Sequence, residues 1–310
     1  MTVGSPAPRP RVVVTRRLPG AVEAQLADRF DAVLNPDDTP LSAAQLAEAM
    51  RTADALLPTV TDRVSAEVLG APGRRARIVS NFGVGYNNID VAAAKQAGVV
   101  VTNTPDVLTD DTADIAITLL LMVARRAGEG ERHVRAGAWT GWRPTHMLGT
   151  KVTGKTLGLV GMGRIGRAVA ERAARGFGMR VLYHDPSVTA EAARAVGAEP
   201  AASLDALLAA SDFVSLHVPS LPETRGLLNA ERLAQMRPGA FLINTARGDI
   251  VDEAALAEAL QRGTIAGAGL DVFEKEPAVT PALTALDNVV LLPHLGSATT
   301  ETRVAMGQLG

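Results

Sequence analysis

Three residues able to do chemistry each stand beyond a short apolar run. Arg247 lies in Asn244-Thr245-Ala246-Arg247-Gly248, after residues 241–244, and His294 lies in Pro293-His294-Leu295-Gly296, after residues 289–292. Glu276 lies in Phe273-Glu274-Lys275-Glu276-Pro277. A planar guanidinium suits two-pronged binding of a carboxylate. An imidazole can give or take a proton near neutral pH, and a carboxylate beside it favours its charged form. Together the three could hold a substrate carboxylate while a proton passes to a neighbouring carbonyl oxygen. Taken singly, each has a blander reading: surface charge for the Arg, a structural role for the His, and solvated charge for the Glu, with Glu274 its rival. The other four histidines are less well placed, His133 late in a helical stretch, His146 in a Trp/Pro-rich loop, His184 beside Asp185, and His217 at the end of the run 213–216.

A second constellation concerns phosphate. Leu157-Gly158-Leu159-Val160-Gly161-Met162-Gly163-Arg164-Ile165-Gly166 sets G-x-G-x-x-G after a strand-like run and before a helical one. Gly161 suits the tight turn, Gly163 the close approach of a pyrophosphate, and Gly166 the contact of helix with strand. The pattern gains weight from an acidic residue about 20 positions on, at the end of the next strand, where it can bind ribose hydroxyls. Asp185, after the run 181–183, meets that condition. Its charge would repel the 2′-phosphate of NADP, and no Arg follows within residues 186–190, so NAD is expected over NADP. A nicotinamide cofactor joined to a proton donor and a carboxylate-binding Arg points to hydride exchange with a 2-oxo or 2-hydroxy acid.

Residues 149–156, Gly-Thr-Lys-Val-Thr-Gly-Lys-Thr, also satisfy the P-loop expression. That loop should leave a strand and enter a helix, whereas this run leaves a Trp/Pro loop and enters a strand, so triphosphate chemistry is not expected.

The positioning elements follow from periodicity. Short apolar runs, most of them β-branched, at 12–14, 56–58, 78–80 and 99–102 alternate with helical stretches, which implies parallel strands with crossover helices. Residues 108–135 read as one long helix, with Thr109, Asp110 and Asp111 at its start. After the loop 137–149 the alternation resumes at 157–160, 181–183, 213–216, 241–244, 265–270 and 289–292, six strands in all. Residues 298–309 read as a final helix returning to the first domain.

Composition agrees. At 310 residues two domains are expected, with a cleft between them. Apolar residues make up 47% and charged residues 21%, enough core and too little charge for disorder. A net charge of -2 offers no basic field for nucleic acid or anionic lipid. There is no cysteine, which removes disulfides and thiolate-bound metal and suits a cytoplasmic location. Residues 1–10 hold three prolines and no apolar core, so they read as a loose tail and not a signal peptide, and residues 115–124 are too short an apolar stretch to span a bilayer.

Beyond these readings the string resembles the D-isomer-specific 2-hydroxyacid dehydrogenase family, most closely its glyoxylate and hydroxypyruvate reductase branch. The likeness runs through Ser80-Asn81-Phe82-Gly83-Val84-Gly85-Tyr86-Asn87-Asn88-Ile89-Asp90, the glycine turn, and residues 244–249, 267–277 and 293–299. It implies two doubly wound parallel-sheet α/β domains, a Rossmann NAD-binding domain (105–292) inserted in a flavodoxin-like substrate domain (1–104 and 293–310). It also implies reduction of glyoxylate or hydroxypyruvate to glycolate or D-glycerate, with Arg247, the Pro-preceding Glu276 and His294 as catalytic residues. Val84, Gly85, Arg247 and His294 would bind substrate, together with Trp142 from the partner subunit of a homodimer. Thr112, Gly161, Gly163, Arg164, Ile165, Gly166, Asp185, Pro219, Thr224, Thr245, Ala246, Asp271 and Gly296 would line the cofactor. Formate dehydrogenases, which share the fold, carry Gln where Glu276 stands. An NAD(H)-sensing corepressor of the same fold is the non-enzymatic alternative. Relatives of this branch usually continue past the position of Gly310.

Overall fold

The computed structural model describes residues 8–310, so the first seven residues of the expected tail lie outside the described residues. The chain divides into two units: Met1–Leu108 with Ala298–Gly310, and Thr109–Ser297.

In the first unit, strands β1 (Arg11–Val14), β2 (Asp31–Val33), β3 (Ala55–Leu57), β4 (Ile78–Ser80) and β5 (Val100–Thr102) form a parallel sheet in the order β2-β1-β3-β4-β5. This is the flavodoxin-like order. Leu46, Met50, Leu56, Leu69 and Val79 form the centre of its core, each fully or almost fully buried. The helix Ala43–Thr52 starts on a capping box in which Ser42 and Gln45 satisfy one another's backbone amides, so local sequence fixes where that helix begins. Strand β2 was not foreseen. Its Asp-Ala-Val has no buried residue and sits at a sheet edge, where three residues carry no period.

The second unit has seven parallel strands: β6 (Thr156–Val160), β7 (Arg180–His184), β8 (Ala198–Pro200), β9 (Phe213–Leu216), β10 (Phe241–Asn244), β11 (Gly267–Leu270) and β12 (Val289–Leu291). Their order, β12-β11-β10-β9-β6-β7-β8, is the doubly wound pattern extended by one strand. Strands β9, β10 and β11 are buried at every residue, as a parallel sheet covered on both faces requires. The six expected strands become seven, because β8 is a short edge strand whose Pro200 can sit only where no ladder hydrogen bond is needed.

The expectation of one helix over 108–135 is corrected. Two helices, Thr109–Ala124 and Ala127–Arg135, meet at Arg126, whose φ is 54°. The Ala124 carbonyl, which would continue the ladder, accepts instead from the Thr150 amide at 2.7 Å. The second helix buries no residue and contains Gly128 and Gly130, so neither packing nor propensity holds it in line with the first.

The unit boundaries also differ from those expected. Residues 293–297 group with the second unit, because the His294 amide bonds the Asp271 carbonyl at 2.9 Å and the Leu295 and Gly296 amides bond the Asp271 carboxylate. Residues 105–108 group with the first unit, where the Thr302 hydroxyl donates to the Val107 carbonyl. The run 149–156 enters β6 and opens no helix.

Candidate active site

Because the seven strands of the second unit run parallel, their carboxyl ends share one edge, and nearly every proposed second-unit site residue lies there. Gly161 follows β6, Asp185 follows β7, Thr245 and Arg247 follow β10, Asp271 follows β11, and His294 stands three residues beyond β12. Ligands of open α/β sheets bind at this edge.

The glycine turn has the shape of a dinucleotide cradle. Gly161 adopts φ +94°, and a Cβ there would meet the His217 backbone at 2.7 Å. A Cβ on Gly166 would collide with the Gly161 carbonyl, so helix and turn touch backbone to backbone. Gly163 has no heavy atom near the place a Cβ would take. It is the N-cap of the helix Arg164–Phe177 without a side-chain cap, and the Ile165 amide in that first turn could meet an anion. The buried Thr245 hydroxyl has no hydrogen-bond partner, a donor waiting at the same edge. These features fit a bound dinucleotide.

Asp185 accepts from the Met162 amide at 2.8 Å and from the Ser187 amide and hydroxyl. Burial alone would push its carboxyl up, but the Ser187 hydroxyl and those amides prevail and hold it below the usual carboxylate range. His217, passed over in the sequence, lies beside the turn with Nε2 2.9 Å from the Ser215 hydroxyl, and burial pushes its pKa down to about 4. Its ring is therefore neutral at pH 7.

The proton-handling pair is well defined. His294 Nδ1 lies 2.9 Å from Glu276 Oε2, and Glu276 Oε1 accepts from the Phe273 amide at 3.0 Å. Burial pushes the Glu276 carboxyl up, yet its hydrogen bond and charge interaction with His294 outweigh this and leave it below its ordinary value. With Nδ1 engaged, Nε2 is the ring atom left to meet a substrate. Glu274 is not the partner: its side chain is exposed, and only its amide is tied down. His294 itself adopts φ 55°, a left-handed backbone that its amide bond to Asp271 helps to hold.

Arg247 follows β10 through a turn closed by Asn244, whose amide donates to the Arg247 carbonyl at 2.8 Å and whose oxygen accepts from the Ala246 amide. Burial lowers its pKa, while the charges of Glu276 and Asp249 work in the opposite direction. Asp271 is almost fully buried. Burial raises its pKa, against the Leu295 amide, the His294 charge and the Gly296 amide.

Two positioning residues escaped sequence reading. Glu253 accepts from the Glu274 amide at 2.6 Å and from the Thr280 hydroxyl, gripping both ends of the loop that carries Glu276. Gly248 touches the Phe273 and Glu274 backbone so closely that any Cβ would collide. Glu253 lies in no motif, and Gly248, at the end of the run 244–248, shows no need for glycine in the sequence, since each acts on a segment more than 20 residues away.

The remaining expected residues distribute as follows. The Thr112 hydroxyl donates to the Gly296 carbonyl at 3.0 Å. The Thr224 hydroxyl donates to the Pro219 carbonyl at 2.6 Å, closing a loop after β9. Trp142 is 81% exposed in the second unit, and Val84 and Gly85 belong to the first.

A dinucleotide cradle joined at one sheet edge to an Arg, a Glu and a His defines a nicotinamide-dependent oxidoreductase. Residues 117–296 match the family model described as D-isomer specific 2-hydroxyacid dehydrogenase, NAD binding domain. The chain is 48% identical to the glyoxylate reductase of Thermococcus onnurineus, over 97% of this chain and 90% of that protein. Among solved structures, a glyoxylate reductase from Paecilomyes thermophila superposes with a TM-score of 0.85 at 34% identity, covering 97% of this chain and 93% of that one. An NADPH-dependent glyoxylate/hydroxypyruvate reductase from Sinorhizobium meliloti, solved with NADP and malonate, gives a TM-score of 0.85 at 40% identity, covering 97% and 91%. The chain belongs to the D-isomer-specific 2-hydroxyacid dehydrogenase family. It is an oxidoreductase acting on the CH–OH group of small 2-hydroxy acids, or on the matching 2-oxo acids, and it binds NAD(H) or NADP(H). Among the described residues no helix is long and apolar enough to cross a membrane.

Proposed function

We propose that this chain reduces glyoxylate or hydroxypyruvate to glycolate or D-glycerate, with NADH preferred to NADPH. The observation that carries the reading is the His294–Glu276 pair at 2.9 Å, set on the same sheet edge as Arg247 and the glycine turn.

The nicotinamide, when bound, supplies the hydride. The Arg247 fork binds the substrate carboxylate, helped by the backbone amides at Val84 and Gly85. Nε2 of His294 gives a proton to the carbonyl oxygen, and Glu276 stabilises the imidazolium before that transfer. In the reverse direction the neutral ring takes the hydroxyl proton. Thr112, Gly161, Gly163, Arg164, Ile165, Gly166, Pro219, Thr224, Thr245, Ala246, Asp271 and Gly296 hold the dinucleotide. Asp185 receives the adenosine ribose, and its ionised carboxylate disfavours a 2′-phosphate.

The exposed Trp142 supports a homodimer in which this residue reaches the partner subunit's site. A cytoplasmic location is proposed with it, in keeping with a chain free of cysteine. Steady-state reduction of a panel of 2-oxo acids with NADH and with NADPH tests the activity. Failure of both glyoxylate and hydroxypyruvate, with another 2-oxo acid turned over, would replace the substrate assignment. Sedimentation showing a fully active monomer at micromolar concentration would remove the dimer.

A further inference from the structure

Asn81 and Asn103 each stand one residue beyond a strand of the first unit, β4 and β5, whose register pairs Ser80 with Thr102. The two asparagines therefore emerge side by side at the sheet edge, below the loop 83–86. That loop's carbonyls are captured one after another. The Thr104 amide donates to the Gly83 carbonyl at 3.1 Å, Asn103 Nδ2 to the Val84 carbonyl at 2.8 Å, and Asn81 Nδ2 to the Gly85 carbonyl at 2.9 Å.

Asn81 cannot turn its amide group over. Its Oδ1 accepts from Asn88 Nδ2 at 3.0 Å, and Asn88 is itself anchored on the Thr59 and Asp62 carbonyls. The Asn81 side chain is fully buried, so reversing it would leave an amine facing an amine with no water to compensate.

In a trans peptide the carbonyl and the next N–H point in opposite directions. Holding the carbonyls of Gly83, Val84 and Gly85 on the asparagine side thus aims the amides of Val84, Gly85 and Tyr86 away from it. Among the described residues, none of those three amides donates to the protein. We propose that Asn81 and Asn103 are positioning residues for carboxylate recognition. Together with the Thr104 amide they fix three successive peptide planes, so that the loop presents preoriented N–H donors to the substrate carboxylate. The proposal rests on the functional reading above and adds to it the side chains that make the loop a carboxylate receptor. Arg247 supplies charge; these two residues supply direction.

A loop held merely for stability and one held for recognition differ in kinetics. Asn103 is only partly buried and its partner is a loop carbonyl, so Asn103→Leu, of similar volume and without donor or charge, suits the test. It should raise KM for glyoxylate about 10-fold and the inhibition constant of oxalate in parallel, with kcat within about 3-fold of the parent. The Kd of NADH, read by fluorescence titration, should not move. Asn103→Ala and Asn81→Ser should give the same split, so a folding failure of any one variant leaves the others to decide. KM and the oxalate constant within about 2-fold of the parent in the folded variants, or a fall confined to kcat, would overturn the proposal alone. A parent chain that reduces no 2-oxo acid would instead sink the functional reading, and this inference with it.

Discussion

The Glu253 carboxylate accepts the Glu274 amide at 2.6 Å, two residues ahead of the Glu276 that engages His294. An almost fully buried acid at the start of the helix Glu253–Gln261 thereby holds a loop that is exposed from Glu274 to Ala278 and has no burial of its own to keep it in place. Gly248 completes the arrangement by letting the loop backbone lie directly on the segment that carries Arg247. The loop that carries Glu276 is thus held against the Arg247 segment by two residues outside the proposed catalytic groups.

Loosening the loop should weaken the coupling between Glu276 and His294. In the proposed mechanism Glu276 engages Nδ1 of His294 and so orients the ring with Nε2 toward the substrate. Glu276→Gln should therefore lower kcat for reduction by about 10-fold or more. Glu253→Ala should act in the same direction by a smaller factor, while Glu253→Gln, which keeps the acceptor for the Glu274 amide, should lie near the parent. A kcat unchanged in folded Glu253→Ala would reduce Glu253 to a residue of stability alone.

Removing the acid itself has a larger effect. His294→Ala should lower kcat about 10² to 10⁴ fold while NADH binding stays close to the parent. Arg247→Ala should raise KM as well as lower kcat, because a fork bound to the carboxylate, as proposed, would act in ground and transition states alike. A kcat within about 3-fold of the parent in His294→Ala would show that another group donates the proton.

The proposed preference for NADH can be tested at Asp185. Its carboxyl, held low by Ser187 and the Met162 amide against the effect of burial, is ionised throughout the neutral range. Parallel kcat/KM measurements should favour NADH, and Asp185→Ser should narrow the ratio by about 10-fold or more through a gain with NADPH. Preference of the parent for NADPH would contradict the assignment outright.

Stability should fall on mild acidification, and His217 gives the sign. Burial lowers its pKa from 6.5 to about 4, so between those values the unfolded chain binds a proton that the folded chain does not. Unfolding is then favoured as pH falls through 6.5, with the penalty complete near pH 4. Between pH 8 and pH 5 this group alone should remove about 2 kcal/mol. Glu276 and Asp185, whose values are depressed, lose their contributions only at lower pH, and Asp271, raised by burial, acts in the opposite sense. Chemical denaturation at pH 8 and pH 5 should show a smaller drop for His217→Gln than for the parent; equal drops would mean that the ring protonates freely in the folded state.

Whatever depends on near neighbours is legible in the string of residues. The glycine turn, the strand before it, the helix after it and Asp185 beyond the next strand lie within one βαβ unit, so spacing alone placed them, as it placed Arg247 and His294 after strong apolar runs. It could not separate Glu276 from Glu274 by residue type; the likeness to a known family did that, and the 2.9 Å contact with His294 agrees. Tertiary structure decided the rest, for one recurring reason: the decisive partner is far away in the chain. The helix break at Arg126 depends on Thr150 claiming the Ala124 carbonyl, and the placing of residues 293–297 on the Asp271 carboxylate. Strands β2 and β8 are edges held by the sheet they join, too short to show a period of their own. Asn81 and Asn103, 22 positions apart like the Ser80 and Thr102 that precede them, become neighbours only when β4 and β5 pair in register, and until they do nothing turns the amides of Val84, Gly85 and Tyr86 toward a ligand.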